Sequence, residues 1–296
     1  MNLSFGLGEL SSILCALFWA VAVILFRKSG ATTPPLILNL WKNLFGLLLF
    51  GATLLLLGIS WTGQASEADL SRLIVSGAIG IGISDTIFFA SLNRLGASRF
   101  AVVDCLYAPL VALCSFLFLA EPVKATLLFA LMLVVPAVWL GAWEPRREPI
   151  ERGQLLSGIA LGALALLLAA IGIVLAKPAL DRVDPWWAAA VRLLAGTALV
   201  IPQALWPSQR TALRRAFTPG RHWLLLGAAA FMGTYVAMFF WILGVKHTYA
   251  TIASLLNQLS VIFMVLLAAA FLRERLHWRR TLAVGLGVAG AVLAML

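Results

Sequence analysis

The sequence predicts an all-α membrane protein with ten transmembrane helices, arranged as two inverted five-helix repeats. Three observations lead to this prediction: the composition, a series of apolar runs and an internal repeat. Of the 296 residues, 62% are hydrophobic and 11% are charged, whereas soluble domains are roughly 45–50% apolar and about 25% charged. The composition therefore excludes a soluble globular domain, a disordered chain and a disulfide scaffold.

Apolar runs of about 20 residues, the length that crosses a bilayer, follow one another along the chain. Only helices and closed barrels satisfy their backbone polar groups in lipid. The runs lack the strict alternation of barrel strands, so they predict helices. The predicted helices cover about 10–26, 36–57, 73–92, 100–120, 126–143, 155–176, 186–206, 222–243, 250–271 and 281–296.

A shift of 150 residues brings the two halves of the sequence into alignment. It pairs Arg27 with Lys177, Pro35 with Pro185, Lys42 with Arg192, Gly46 with Gly196, Gly77 with Gly227 and Phe89 with Phe239. Near the ends the shift becomes 153, where Glu121 meets Glu274. The matches predict two repeats, at residues 1–146 and 147–296. Because each repeat has an odd number of helices, the second must enter the membrane upside down, a common plan for secondary transporters.

Lysine and arginine residues are concentrated in alternate connections. Of the 22, 15 lie in the odd-numbered connections and five in the even-numbered ones. Basic residues in short connections favour the cytoplasm. The bias therefore predicts that both termini are outside the cytoplasm, in a multi-pass protein that we expect in a bacterial inner membrane.

One segment of each half carries a local signature. The first copy has a glycine-led loop, a helix with proline and a glutamate at the helix end: Gly96-Ala97-Ser98-Arg99, Tyr107-Ala108-Pro109 and Leu119-Ala120-Glu121. The second copy runs from Thr248 through Asn257-Gln258-Leu259-Ser260 to Arg273-Glu274-Arg275-Leu276, without the proline. Together with the repeat, the chain resembles the EamA type of the drug/metabolite transporter superfamily. The resemblance implies two inverted five-helix repeats, export of a substrate, and cytoplasmic termini, the opposite of the charge-based orientation.

Four ionisable residues lie inside the predicted helices, where charge is costly and usually faces a cavity or a partner. Lys42, Asp85 and Asp104 are predicted in the same half of the bilayer, about 6–12 Å from their nearer helix ends. Lys42 could therefore pair with either aspartate. Such a pair could simply neutralise the helices, or Asp85 or Asp104 could bind protons and couple them to transport.

Arg192 differs from its repeat mate Lys42, because the positions aligned with Asp85 and Asp104 in the second half are Tyr235 and Ser254. A guanidinium without a carboxylate is suited to a bidentate substrate carboxylate or phosphate. The alternatives are snorkelling toward the headgroups, or pairing with Glu121 or Asp184.

Polar and aromatic residues complete the predicted substrate site. Polar side chains inside helices either join helices together or line a cavity. Large aromatic rings deep in a span could stack on a ligand, although packing is their commoner role. The full set of predicted substrate-binding residues is Arg192, Lys42, Asn39, Asn43, Tyr107, Trp19, Tyr235, Trp241, Asn257 and Gln258.

These features favour a secondary transporter that exports small metabolites or amphipathic compounds by alternating access. The alternatives are a flippase for a lipid-linked or polar headgroup, an intramembrane enzyme and a non-transporting subunit. We expect no catalytic residue, cofactor or metal. The net charge of +10 would suggest nucleic acid in a soluble protein, but here the basic residues lie in connections. The expected partners are a small-molecule substrate and the lipid bilayer, with the chain as a monomer or homodimer.

The charge bias gives a first testable prediction. Alkaline phosphatase fused after residue 296 should be active in a bacterial host, and green fluorescent protein at the same position should be dark. Fusions after residue 218, in one of the two most basic odd-numbered connections, should behave in the opposite way and serve as the control. A fluorescent fusion at residue 296 would contradict the charge-based orientation.

Overall fold

The computed structural model describes residues 6–62, 65–121, 129, 132–133, 151–272 and 278–293. Eight helices in this part of the chain are long and apolar enough to cross a membrane: α1 (Leu7–Gly30), α2 (Pro35–Leu56), α3 (Glu67–Leu95), α4 (Ala97–Leu119), α5 (Arg152–Leu180), α6 (Pro185–Ala204), α7 (His222–His247) and α8 (Ala250–Leu272). They correspond to eight of the ten predicted helices. A further helix, α9 (Trp278–Leu293), falls on the predicted tenth. Most of the predicted fifth helix, 126–143, lies outside the described residues.

The helices begin and end as their sequences dictate. Pro35 and Pro185, matched in the repeat, are each the first residue of a helix, where the missing N–H costs nothing. The Asp184 carboxylate caps α6 by accepting hydrogen bonds from the backbone N–H groups of Trp186 and Trp187, at 2.8 and 3.2 Å. Asp184 is therefore engaged at the helix start and is not a partner of Arg192.

Two kinds of irregularity recur in both halves. α3 and α7 each contain a π-helical segment, at Ala78–Ile83 and Phe231–Ala237. α4 and α8 are each interrupted by a tight turn, after Asp104 and after Asn257. The turn in α8 forms without the proline present in α4, so the missing Pro109 equivalent does not change this part of the fold. Between α6 and α7 lie a 3-10 turn, Pro207–Gln209, and a short helix, Arg210–Phe217.

The helices of the two halves pack reciprocally. α1 packs along α7, and its counterpart α5 packs along α3. Likewise α1 contacts α8 while α5 contacts α4, and α2 crosses its own counterpart α6. These contacts between the halves therefore come in matching pairs with the roles exchanged, as an approximate two-fold axis requires. The core lies between the halves, and large leucine side chains such as Leu48 and Leu55 remain on the outside.

Small residues permit this close packing. A Cβ at Gly46 would lie 2.6 Å from Thr234, and a Cβ at Gly196 would lie 2.8 Å from Ile81. A Cβ at Gly77 would collide with the backbone carbonyl of Arg192. Backbones that approach this closely are typical of small-residue contacts between membrane helices.

These matched contacts correct the predicted register of the repeat. Gly46 and Gly196 are 150 residues apart, but their partners Thr234 and Ile81 are 153 apart. The fourth helices also begin 153 residues apart, at Ala97 and Ala250. The shift has therefore already changed by α3. Consequently Met238 and Asn257 occupy the positions of Asp85 and Asp104, and the predicted mates Tyr235 and Ser254 were wrong.

The contact between α3 and α6 yields a stability prediction. Gly77→Ala should destabilise the protein by about 1–3 kcal/mol, because its methyl group would collide with backbone atoms that cannot rotate away. Gly51→Ala is the matched control, since nothing lies within 4 Å of a Cβ there. Alanine should be neutral at Gly51 or up to about 1 kcal/mol stabilising. Unfolding of both variants in detergent measures the difference, and equal stabilities would refute the close contact.

Candidate functional site

A cavity of about 150 Å³ lies between the two halves, and all four predicted intramembrane charges line it. Lys42 comes from α2, Asp85 from α3, Asp104 from α4 and Arg192 from α6. Three of them are almost fully buried in the protein: Lys42, Arg192 and Asp104 are 4%, 5% and 7% exposed. The fold thus gathers charges that are dispersed in sequence into one polar space away from lipid.

The wall of the cavity is nearly symmetric. In the corrected register, equivalent positions of the two halves both line it: Cys15 and Ala165, Trp19 and Ala169, Lys42 and Arg192, Gly80 and Gly233, Ile81 and Thr234, Ser84 and Ala237, Asp85 and Met238, Phe88 and Trp241, Asp104 and Asn257. The cavity therefore lies on the approximate two-fold axis. The π-helical segments of α3 and α7 supply Gly80 and Gly233, consistent with the frequent placement of such segments at functional sites.

The chemistry of the wall is less symmetric than its geometry. Both halves contribute a cation at the same position, Lys42 or Arg192. Among the described residues of the wall, the acids all come from the first half, because Met238 and Asn257 replace Asp85 and Asp104 in the second half. With all four groups ionised the charges of the wall balance, although each half alone is not neutral.

Lys42 and Asp85 form an ion pair. The Lys42 Nζ lies 2.7 Å from Asp85 Oδ2 and donates to Asn43 Oδ1 at 2.6 Å. It also lies 6.0 Å from the centroid of the Phe89 ring. Of the two pairings that the sequence allowed, the structure contains Lys42–Asp85, and it explains how a lysine is tolerated in the span.

Arg192 is positioned by a hydroxyl. Its Nε donates to Ser76 Oγ at 2.9 Å, and the Ser76 hydroxyl donates to the Gly172 carbonyl at 2.5 Å. Among the described residues no carboxylate lies within ion-pair distance of Arg192. Glu121 instead accepts a hydrogen bond from Thr251 at 2.8 Å. The guanidinium is thus fixed through one nitrogen, and its other donors are not committed to an acid.

Asp104 is placed by the turn that interrupts α4. It is the last residue of Ala97–Asp104, and its backbone carbonyl accepts a hydrogen bond from Gln258 Nε2 at 3.2 Å. In the described part of the chain no side chain forms a hydrogen bond or ion pair with its carboxyl group. Asp104 therefore differs from Asp85, whose charge is matched by Lys42.

Aromatic rings form the apolar part of the cavity. Trp19 packs on Phe88 with ring centroids 5.5 Å apart, and Tyr107 packs on Trp241 at 5.9 Å. Three of these four were predicted site residues. Phe88 was missed, although it is the repeat equivalent of Trp241 once the shift of 153 is used. Ser76, which supports Arg192, was also missed, because several serines lie in the apolar runs and nothing in the sequence distinguishes Ser76 from the others.

Four predicted substrate-binding residues do not line the cavity. Asn39 donates to the carbonyl oxygens of Ile81 and Gly82, at 3.0 and 3.1 Å, inside the π-helical segment of α3. Asn43 accepts from Lys42. The Tyr235 hydroxyl is 2.6 Å from Thr53 Oγ1. Gln258 binds the backbone at Asp104. These side chains hold the wall of the site in place.

A second, more polar cavity of about 720 Å³ lies where α1, α4, α5, α7 and α8 meet at one end. Its ionic groups are mostly engaged: Lys177 pairs with Asp181 at 2.6 Å, and Thr248 donates to Glu9 at 3.3 Å. Nearby, Arg182 pairs with Asp69, and this hydrogen bonding raises the pKa of Arg182. All five helices also line the central cavity, at positions farther from this end.

Comparison with known proteins gives a family and a fold. The EamA-like transporter family model matches the chain twice, at residues 6–142 and 156–296. A crystal structure that matches is 20% identical in sequence, with 97% of this chain and 96% of the other aligned and a TM-score of 0.70. That likeness concerns the fold alone. No curated protein matches significantly.

The position of Asn39 leads to a prediction that distinguishes a residue supporting the cavity wall from a residue binding the substrate. Asn39→Ala should destabilise the protein by about 1–3 kcal/mol, because the Ile81 carbonyl would lose its side-chain donor in an apolar setting, whereas the Gly82 carbonyl would keep the hydroxyl of Thr86, at 2.9 Å. Leu48→Ala, on the outer side of the same helix, should change stability by less than about 0.5 kcal/mol. Thermal unfolding in detergent checks both. An Asn39→Ala variant as stable as the wild type would remove the proposed supporting role.

Proposed function

The chain belongs to the EamA-like transporter family, and on that basis we propose that it is a secondary active transporter working by alternating access. Members of this family are membrane transporters of the drug/metabolite superfamily and not enzymes. We place the protein in a bacterial inner membrane, and we propose that it exports small metabolites or amphipathic compounds as a monomer or homodimer.

One observation carries this proposal: equivalent residues of two similar halves line a single charged cavity. A site on an approximate two-fold axis can open to either side by exchanging the conformations of the halves. The residues around the substrate then remain largely the same in both states. The polar cavity at the end of α5 is a candidate access route, because the same helices line both spaces.

The wall favours a substrate with an acidic group and an apolar body. Arg192 offers guanidinium N–H groups that no described carboxylate occupies, and guanidinium binds carboxylate or phosphate bidentately. Lys42, at the equivalent position across the axis, adds positive charge. Trp19, Tyr107 and Trp241 would contact the apolar part. We therefore propose a small organic anion with an apolar or aromatic group.

Proton coupling is the second part of the proposal. Asp85 and Asp104 are the acids of the cavity, and a carboxyl group that is charged in one state and neutral in another can couple a proton to a conformational change. Asp85 would have to leave Lys42 to take up a proton, whereas Asp104 has no described partner to lose.

Thermal unfolding of the purified protein with a panel of compounds tests the substrate class. A ligand at 100 times its dissociation constant stabilises by about 2.7 kcal/mol. Carboxylates or phosphates with aromatic or aliphatic bodies should stabilise the wild type. Arg192→Ala should abolish the effect, and methyl esters of the same carboxylates should not stabilise either protein.

The control variant is Arg215→Ala, a substitution of an exposed arginine in the short helix Arg210–Phe217. It should respond to ligands as the wild type does. Equal responses of the wild type and Arg192→Ala would show that Arg192 does not bind the substrate. If only lipid-like compounds stabilised the protein, a flippase would replace the small-anion transporter as the proposed function.

A further inference from the structure

We propose that Asp104 binds the transported proton, and that Asn257 is its counterpart in the second half, at which the same proton site can be rebuilt. This inference rests on the proposed transporter function and assigns its coupling group. It follows from the equivalence of the two positions, from the groups that surround them and from the chemistry of the two side chains.

The two residues occupy the same place in the fold. Each is the last residue of the first segment of a fourth helix, Ala97–Asp104 in α4 and Ala250–Asn257 in α8. A tight turn follows each, with Cys105 N–H bonded to Val102 O at 3.3 Å and Gln258 N–H bonded to Leu255 O at 2.8 Å. Both side chains line the cavity. The approximate two-fold axis through the cavity therefore relates the carboxyl group of Asp104 to the side-chain amide of Asn257.

No cation of the cavity is paired with Asp104 in the described part of the chain. Lys42 on α2 is held by Asp85 of α3 at 2.7 Å, and Arg192 on α6 is held by Ser76 at 2.9 Å and lies beyond ion-pair distance of Asp104. The other titratable groups in the described wall are Cys15 of α1 and Tyr107 of α4. The residues of α5, α7 and α8 that line the cavity are uncharged. A charge on Asp104 would therefore be desolvated without a paired cation, which is costly.

A neutral carboxyl group matches the amide at the equivalent position. Protonated aspartic acid and asparagine have nearly the same shape, and each presents one donor side and one acceptor oxygen. The second half shows that a neutral group of this shape suits the turn. Protonation of Asp104 forms one O–H bond with a proton taken from water on one side of the membrane. Release to water on the other side breaks that bond, and no electron is transferred.

Asp85 does not have this freedom. Its carboxylate is in contact with Lys42, and its repeat equivalent is Met238, which cannot imitate a protonated acid. Removing one member of a buried ion pair leaves the other charge uncompensated. Asp85 thus neutralises Lys42 inside the span. Asp104 is the remaining acid of the described wall, and it can gain and lose a proton without breaking an ion pair.

Infrared spectroscopy of the protein in liposomes tests the assignment without any substrate. A protonated carboxyl group gives a C=O stretching band that shifts in heavy water. We expect such a band at neutral pH in the wild type and its loss in Asp104→Asn. The double variant Asp104→Asn/Asn257→Asp should regain the band, because the acid moves to the equivalent position. Unfolding temperatures of the same samples verify that each variant is folded.

Each outcome bears on the proposal. A band that survives in Asp104→Asn would overturn the assignment of Asp104. A folded double variant without the band would overturn the equivalence with Asn257. These results would leave the transporter proposal intact, because that proposal is tested by ligand stabilisation and not by the carboxyl band.

Discussion

The cost of charge in lipid is the constraint on which this structure depends. Charged side chains deep within the spanning helices would be expensive to expose to acyl chains. The fold meets this constraint by directing Lys42, Asp85, Asp104 and Arg192 into one cavity between the halves. One acid is neutralised by a lysine, and one arginine is fixed by a serine. Which of these charged groups are paired within the protein therefore indicates which of them can bind a substrate or a proton.

Close contact between small residues makes the cavity possible. Gly46, Gly77 and Gly196 let backbone and side chains of α2, α3 and α6 approach more closely than any other residue would allow. This brings Lys42 and Arg192 to the two sides of one space. Asn39 then satisfies the carbonyl groups that the π-helical segment of α3 turns toward α2. Residues with no direct role in binding thus determine where the binding groups lie.

The sequence was a good guide to the spanning helices and the intramembrane charges, and a poorer guide to the register between the two repeats. Apolar length alone identified eight spans that the structure describes, and charge in an apolar run identified every ionised group in the cavity. The alignment by 150 residues failed in α3, because the second half has three more residues between Gly196 and Phe231 than the first half has between Gly46 and Ala78. That error hid the equivalence of Asp104 and Asn257. Ser76 was missed because several other serines, such as Ser84 and Ser91, lie in apolar runs and nothing in the sequence distinguishes Ser76 from them. Phe88 was missed because the wrong register hid its equivalence with Trp241.

The reciprocal packing of the halves also governs how such a chain can be made. α1 is synthesised before α2 to α6, yet its main partner α7 follows all of them. α2 likewise waits for α6. Long separations between contacting segments slow folding and leave incomplete surfaces exposed meanwhile. The helices of the first half therefore stay only loosely associated in the membrane until the second half has been made. The folded protein forms late, when the helices of the two halves pack together.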